Sequence, residues 1–343
     1  MPEIFAASSS ANPRVTPRLI AVDMDGTFLT DAKTFDRDRF ERILPRLQAH
    51  GIYFVVASGN TYTKLTDYMK GFENRGIIYI AENGAYLADD SGELAVHPFK
   101  EADVPHVYEV LDTLPQIGVI LCTTEGIFIP RNRQGAVTSI VQDYFAAQGQ
   151  PVPQGLDPYS FVLMFYPSAE RIADYSQVRG ELIKISVQTV RADTYSVLET
   201  LQRELPPQVI PLASGFGAID LVREGVNKAG GLRDLCERLN VHPQEVLAFG
   251  DGDNDREMLA FAGTGVAMGH ASQALRAVAD EVIGSHNGGA AHFRDPANNG
   301  TGVIGGQLPA LLQQLVQLLR PKRVPHIIEP VHQLVVPFED FAP

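Results

Sequence analysis

The run Leu19-Ile20-Ala21-Val22, followed at once by Asp23-Met24-Asp25-Gly26-Thr27, restricts what this chain can fold into more than any other stretch. Four successive apolar residues fit a strand covered on both faces, as in a parallel sheet, and Gly26 lets the chain turn away directly after the second acid. The two carboxylates then stand at a strand's carboxyl end. In open α/β sheets that edge is where ligands bind.

Similar apolar runs recur along the chain. Ile52 to Ala57 leads into Ser58-Gly59-Asn60, Ile77 to Ala81 into Glu82-Asn83-Gly84-Ala85, and Val246 to Phe249 into Gly250-Asp251. Between them lie helical patterns: 36 to 50, with Phe40, Ile43, Leu44 and Leu47 on one face despite Pro45, a polar stretch through Lys70, and a helix capped by Asn227 whose apolar face is Leu232, Leu235, Cys236 and Leu239. Short strands at 265 to 268 and 281 to 283 and a Leu-rich helix from 308 to 320 continue the frame. From Leu87 to Val222 the character changes. Strands are expected at Val119 to Ile129, Ser160 to Tyr166, Leu182 to Val190, Gln208 to Ala213 and Gly217 to Val222, with helices near 135 to 148 and 193 to 205. The expected fold class is therefore α/β, a parallel sheet flanked by helices, with an inserted α+β domain. The expected boundaries are a leader at 1–18, a core at 19–88 and 223–320, the insertion at 89–222, and a tail at 321–343. The Gly-, Asn- and His-rich stretch from Ser285 to Gly306 reads as a surface loop.

Composition narrows the function. At 343 residues two domains are the default, and a net charge of −13 with no basic stripe argues against a nucleic-acid partner. No run has the length of a membrane span, and residues 1 to 18 lack the basic-then-apolar pattern of a secretory signal, so a cytoplasmic protein without a membrane partner is expected. Cys122 and Cys236 sit in apolar patterns that suit reduced core thiols. An acidic protein can still bind a small anion where a metal or a few cations reverse the field locally.

The turns at Asp23/Asp25, Ser58, Lys228 and Asp251/Asp255 should converge on one sheet edge, and their residue types form one device. A carboxylate is ionised at neutral pH, so Asp23 can attack phosphorus without a base and form an aspartyl-phosphate. Charge is the obstacle: two like charges about 4 Å apart at an effective dielectric near 20 repel by roughly 4 kcal/mol, and a phosphate dianion about doubles that. Asp23, the Asp25 backbone carbonyl and Asp251 supply hard oxygens of the kind Mg²⁺ prefers. Lys228 adds a cation, and Ser58 with the backbone amides that follow can donate to phosphate oxygens. Asp25 can protonate the leaving alcohol and later deprotonate water. Asp255 is expected to hold Lys228 or a metal-bound water in place. Gly59, Asn60, Glu82, Asn83 and Asn254 are the candidate substrate contacts.

On Asp23-Met24-Asp25-Gly26-Thr27, Ala57-Ser58-Gly59-Asn60, Ala81-Glu82-Asn83-Gly84-Ala85, Gly225-Val226-Asn227-Lys228 and Gly250-Asp251-Gly252-Asp253-Asn254-Asp255, the chain resembles the haloacid dehalogenase superfamily, and within it the Cof-type phosphatases with a type IIB cap. Ser214-Gly215-Phe216-Gly217-Ala218-Ile219-Asp220 and Asn60 look most like the bacterial sugar-phosphate phosphatases of that group. The resemblance implies a Rossmann-like core, a cap inserted after the third core strand, and a Mg²⁺-dependent phosphohydrolase using Asp23, Asp25, Ser58, Lys228 and Asp251 in the roles above. The expected partner is a small phosphorylated metabolite, with a sugar phosphate as substrate. The chain departs from the family at Asn60, where many relatives carry Arg, at His270, where Asn is usual, and at Asn299-Gly300-Thr301-Gly302-Val303, which lacks an expected Asp.

Rival readings stay open at this level. A phosphomutase or phosphotransferase would use the same aspartyl-phosphate, and a non-catalytic sugar-phosphate-binding protein would keep the fold alone. Calcium is disfavoured at Asp251, Asp253 and Asp255, because Arg256 stands where that loop needs Gly and Ala262 where it needs Glu. Arg131 and Arg133 read as cations of a solvated loop, with restoration of the charge lost at Asn60 as the alternative.

Overall fold

A computed structural model describes residues 17–215, 217–284, 291–295 and 300–304. In chain order the first part is β1 (Leu19–Val22), α1 (Arg37–Ala49), β2 (Tyr53–Ala57), α2 (Tyr62–Tyr68), β3 (Ile77–Ala81), β4 (Tyr86–Asp89) and β5 (Gly92–Val96). The middle part is α3 (Val104–Asp112), β6 (Gly118–Thr123), β7 (Ile127–Pro130), α4 (Gln134–Ala147), α5 (Pro158–Phe165), β8 (Glu170–Ile172), β9 (Leu182–Gln188), α6 (Thr194–Glu204), β10 (Val209–Gly215) and β11 (Ala218–Arg223). The last part is α7 (Lys228–Leu239), β12 (Val246–Gly250), α8 (Arg256–Phe261), β13 (Thr264–Met268), α9 (Gln273–Val278), β14 (Glu281–Ile283), β15 (Ala291–Asp295) and β16 (Gly300–Ile304).

The first sheet has the order β14-β13-β12-β1-β2-β3-β4-β5, parallel from β14 to β3 and closed by the antiparallel β4 and β5. The chain crosses from one side of β1 to the other between β3 and β12, so β1 lies at the switch point, where the loops beyond adjacent strands open a crevice. Both faces of β1 are covered. Ile20 and Val22 join Phe28, Phe40 and Phe54 on one side, while Leu19 and Ala21 join Leu232, Leu235 and Cys236 on the other, which accounts for the unbroken apolar run. Helix α1 continues through Pro45 because it buries Phe40, Ile43, Leu44 and Leu47. Four such side chains at about 1.5–3 kcal/mol each outweigh an internal proline's cost of about 3 kcal/mol.

The second sheet, β10-β11-β9-β6-β7-β8, is antiparallel except for the β7–β8 pair. Two expectations fail here. Ser160 to Phe165 belongs to helix α5, with Tyr166 at its C-terminal cap, because Asp157 accepts the Ser160 amide hydrogen at 3.0 Å and Pro158 presets the first helical turn. A short apolar run cannot by itself tell strand from buried helix, and the cap decided. The single strand expected at Val119 to Ile129 is a hairpin, broken where the Thr123 hydroxyl takes the amide hydrogens of Glu125 and Gly126. The second sheet meets the first part of the chain at Ala85, which packs with Ile120, Cys122 and Ile183.

Cys122 and Cys236 are buried free thiols, as expected. The Ser285 to Gly306 stretch is not all loop: β15 and β16 pair antiparallel within it. The leader through residue 16, the helix at 308 to 320 and the tail at 321–343 lie outside the described residues, whereas Arg18 donates its backbone N–H to the Glu245 carbonyl at 2.8 Å. No described helix is long and apolar enough to cross a membrane.

Candidate active site

Asp23 follows β1 directly, its amide bound to the Phe249 carbonyl of β12 at 2.9 Å, so the parallel pairing of these two strands sets where its side chain starts. Lys228, the first residue of α7, is 1% exposed, and its ammonium donates to Asp23 Oδ1 and Asp255 Oδ1, each at 2.6 Å. Burial opposes that charge, but Asp23 and Asp255 outweigh it and hold the ammonium above its ordinary pKa. The fully buried Asp255 is fixed in turn, because its Oδ2 accepts the amide hydrogens of Asp251 and Gly252 at 2.9 Å.

Carboxylate oxygens of Asp23, Asp251 and Asp255 lie within 4.8 Å of one another, a group that could hold a metal ion. Burial pushes the Asp23 carboxyl well above its ordinary value, Lys228 opposes the shift, and Asp255 and Asp251 add to it. A divalent cation suits such a set of hard oxygens under mutual repulsion. Two features deliver Asp251 to the group. Thr27 donates its hydroxyl to Asp251 Oδ1 at 2.7 Å, and a Cβ at Gly26 (φ 84°) would stand 2.3 Å from Asp251 Oδ2, so only glycine admits the approach. His270 also reaches Asp251 Oδ2, at 3.3 Å.

The Asp25 carboxylate is outside this acidic group. Lys33 donates to its Oδ1 and Asn60 Nδ2 to its Oδ2, both at 2.5 Å. Burial raises this carboxyl, but the bonds from Lys33 and Asn60 outweigh it and hold the group below its ordinary value. Ser58, at the end of β2, accepts hydrogens from the Asn60 amide at 3.1 Å and from Asn60 Nδ2 at 3.0 Å, which leaves its own O–H free to be donated. Both side-chain hydrogens of Asn60 are thus spent on Asp25 and Ser58, tying the two turns together. Asn254 donates to Asn83 Oδ1 at 3.0 Å, and Asn83 packs against Gly59, where a Cβ would touch it at 3.0 Å.

Glu82 (φ 52°) and Asn83 (φ 56°) are consecutive left-handed residues, a conformation that persists only where surrounding contacts hold it. What holds Glu82 is Lys184 of β9. Its ammonium lies 2.5 Å from Glu82 Oε2 and donates to the Gly59 carbonyl at 2.9 Å, with both side chains almost fully buried. Burial lowers the Lys184 pKa, but Glu82 and Asp220 more than reverse the shift. The residue-pattern reading passed over Lys184, Lys33 and Thr27. A lysine amid the apolar positions of β9 was the available signal for the first. Arg133 corrects the solvated-loop expectation: it is 4% exposed and donates to the carbonyls of Leu114 (2.7 Å) and Leu111 (2.8 Å) and to Asp112 (2.7 Å), closing the C-terminal end of α3.

Residues 20–293 match the family model of the haloacid dehalogenase-like hydrolases. The chain is 31% identical over 270 residues to the 5-amino-6-(5-phospho-D-ribitylamino)uracil phosphatase of Escherichia coli K12, covering 79% of this chain and 92% of that one. It is 29% identical over 273 residues to the phosphoglycolate phosphatase of Methanopyrus kandleri, covering 79% and 92%. A crystal structure from Streptococcus mutans UA159 superposes with a TM-score of 0.68 at 24% identity, covering 89% of this chain and 99% of that one, and so shares the fold.

Proposed function

Given that this chain belongs to the haloacid dehalogenase-like hydrolases and is a phosphoric monoester hydrolase among them, we propose that it is a Mg²⁺-dependent phosphatase of small phosphomonoesters, sugar phosphates among them. In this reading the first sheet, running on to Val96, carries the catalytic core, and the second sheet serves as a cap over it. One arrangement supports this above all others: the Lys228 ammonium bridging Asp23 and Asp255 beside Asp251 at the carboxyl ends of β1 and β12. Asp23 is the nucleophile. It attacks phosphorus, the ester oxygen departs as the alcohol, and water then cleaves the aspartyl-phosphate to return the carboxylate and inorganic phosphate.

Lys228 aims Asp23, opposes its protonation, and balances charge gathering on the phosphoryl oxygens. Asp251, Asp23 and the Asp25 backbone carbonyl would hold Mg²⁺, with Asp255 behind them. When bound, the ion supplies positive charge that offsets repulsion between nucleophile and ester. Ser58 donates its O–H to a phosphate oxygen. Asp25, pinned as a carboxylate by Lys33 and Asn60, is fitted to take the proton from water, and the arriving phosphate charge raises its pKa toward the acid form that the leaving alcohol requires.

The phosphoribityl group in the Escherichia coli relative's substrate and the carboxylated phosphate of the Methanopyrus relative's both support small phosphomonoesters as the class. The test is phosphate release from a panel of such esters with Mg²⁺ or with chelator. Release that requires the metal, and trapping of phosphate on Asp23 after rapid acid quench, are expected. No release from any ester, or an isomerised sugar phosphate without free phosphate, overturns the reading.

A further inference from the structure

Four lysines surround the candidate active site of a chain whose net charge is −13, and three of them are already matched. Lys228 holds Asp23 and Asp255, Lys33 holds Asp25, and Lys184 holds Glu82. The fourth, Lys64 on α2, is half-buried and has no carboxylate within ion-pair distance among the described residues. Its nearest ring is Tyr68, with the ammonium 5.8 Å from the centroid. Burying a cation without a counter-ion costs free energy, and burial accordingly lowers the Lys64 pKa, while Asp25 pulls it back up. A half-buried ammonium kept beside the catalytic centre with no counter-ion among the described residues is suited to an anionic ligand group.

The surroundings of Lys64 indicate which part of a ligand it meets. It lines a cleft of about 250 Å³ between α2 and the end of α5, together with Thr61, Asp67 and Tyr68 from the core side and Met164 and Phe165 from the cap side. Thr61 directly follows Asn60, whose side chain binds Asp25, so the cleft opens next to the proposed acid and base. Lys64 acts on the Asp25 charge, whereas the charges acting on Asp23 are those of Lys228, Asp255 and Asp251. The cation therefore stands on the side from which an alcohol would leave. Met164 is 73% exposed and Phe165 43%, so the cap wall offers apolar surface that nothing in the described chain covers. Asp67 lines the same cleft and makes no ion pair with Lys64 among the described residues.

We propose, resting on the phosphatase reading above, that this cleft is the leaving-group subsite and that Lys64 selects phosphomonoesters whose alcohol carries a carboxylate. Glycerol 3-phosphate against 3-phosphoglycerate, and sorbitol 6-phosphate against 6-phosphogluconate, are pairs that differ in one carboxylate at two distances from the phosphate. The readout is the ratio of kcat/KM for the carboxylated ester to that for its neutral partner. In the unaltered protein the ratio exceeds one in at least one pair. In Lys64→Met it falls about tenfold, through KM of the carboxylated ester, as loss of one charge-assisted hydrogen bond in a half-open site predicts. Lys64→Arg keeps it.

A ratio that is unchanged in Lys64→Met overturns the assignment, including the case where both esters weaken alike, since that result would put the cation on the transferring phosphate. A ratio of one or below in both pairs for the unaltered protein overturns it as well. Turnover of p-nitrophenyl phosphate in the same preparation separates the failures. With that turnover present only the role of Lys64 falls, and with no ester hydrolysed the phosphatase reading falls too.

Discussion

Replacing Lys184 by Met removes an ammonium while nearly preserving side-chain volume, and strands Glu82 between the two sheets. The pair is 2.5 Å apart with side-chain exposures of 3% and 4%, so water cannot take over the lysine's part. Breaking one partner of such a buried pair costs about 3–5 kcal/mol. An independent bound comes from the acid itself. Burial already pushes the Glu82 carboxyl up against the opposing pull of Lys184, and without that pull it takes a proton. Protonating a carboxyl of ordinary pKa about 4.3 at pH 7 costs about 3.7 kcal/mol, which caps the electrostatic part of the loss.

The pH dependence has a definite sign. In the variant the folded-state pKa of Glu82 lies above the unfolded one, so between these values the folded protein binds more protons and its stability falls as pH rises. The destabilisation relative to the unaltered protein is largest near pH 7 and shrinks on acidification by up to about 1.4 kcal/mol per unit, and because burial already raises Glu82 in the unaltered protein, at most about 1 kcal/mol of this electrostatic part is left at pH 5. Urea unfolding followed by circular dichroism at both pH values measures it, and adding Glu82→Met should recover most of the loss. An equal loss at pH 5 and pH 7, or no recovery in the double variant, would refute the claim that an uncompensated Glu82 charge is the cause.

Asp23→Asn keeps the shape of the nucleophile but removes its charge, and is expected to lower phosphate release at least about 1,000-fold with no phosphate trapped on the protein after acid quench. Thr27→Val deletes the hydroxyl that orients Asp251 while filling the same buried space, so the Mg²⁺ concentration for half-maximal phosphate release should rise about tenfold with the circular dichroism spectrum unchanged. Arg133→Met leaves the Leu111 and Leu114 carbonyls without their donor and should lower stability to urea by about 1–3 kcal/mol while changing KM little.

The readable parts of this protein were those in which local pattern and final environment agree. Leu19 to Val22, Ile77 to Ala81 and Val246 to Phe249 are apolar throughout because both sheet faces are covered, and the acids and hydroxyls that follow them had no other edge to occupy. The meeting of Asp23, Lys228, Asp251 and Asp255 was likewise legible, since parallel strands and their following helices send these turns to the same end. Ser160 to Tyr166 misled because the apolar run Phe161 to Tyr166 within it suits two structures, and the deciding signal was the Asp157-Pro158 pair before it.

Local pattern could not say which cation each carboxylate receives. Lys33, Lys184 and Lys228 lie 8, 102 and 205 residues from the acids they serve, and such pairings follow from how the sheets pack and not from spacing along the chain. Asn60 shows the same division. In the sequence it is a missing arginine, and in the fold it is the tie between Asp25 and Ser58. By itself the sequence determined the strand-ending acids, and with them the sheet edge and the class of chemistry, because an apolar run and its terminating residue are neighbours in the chain. Only the tertiary structure decided which lysine goes unmatched, because charge compensation acts through space and is settled when distant segments close on one another.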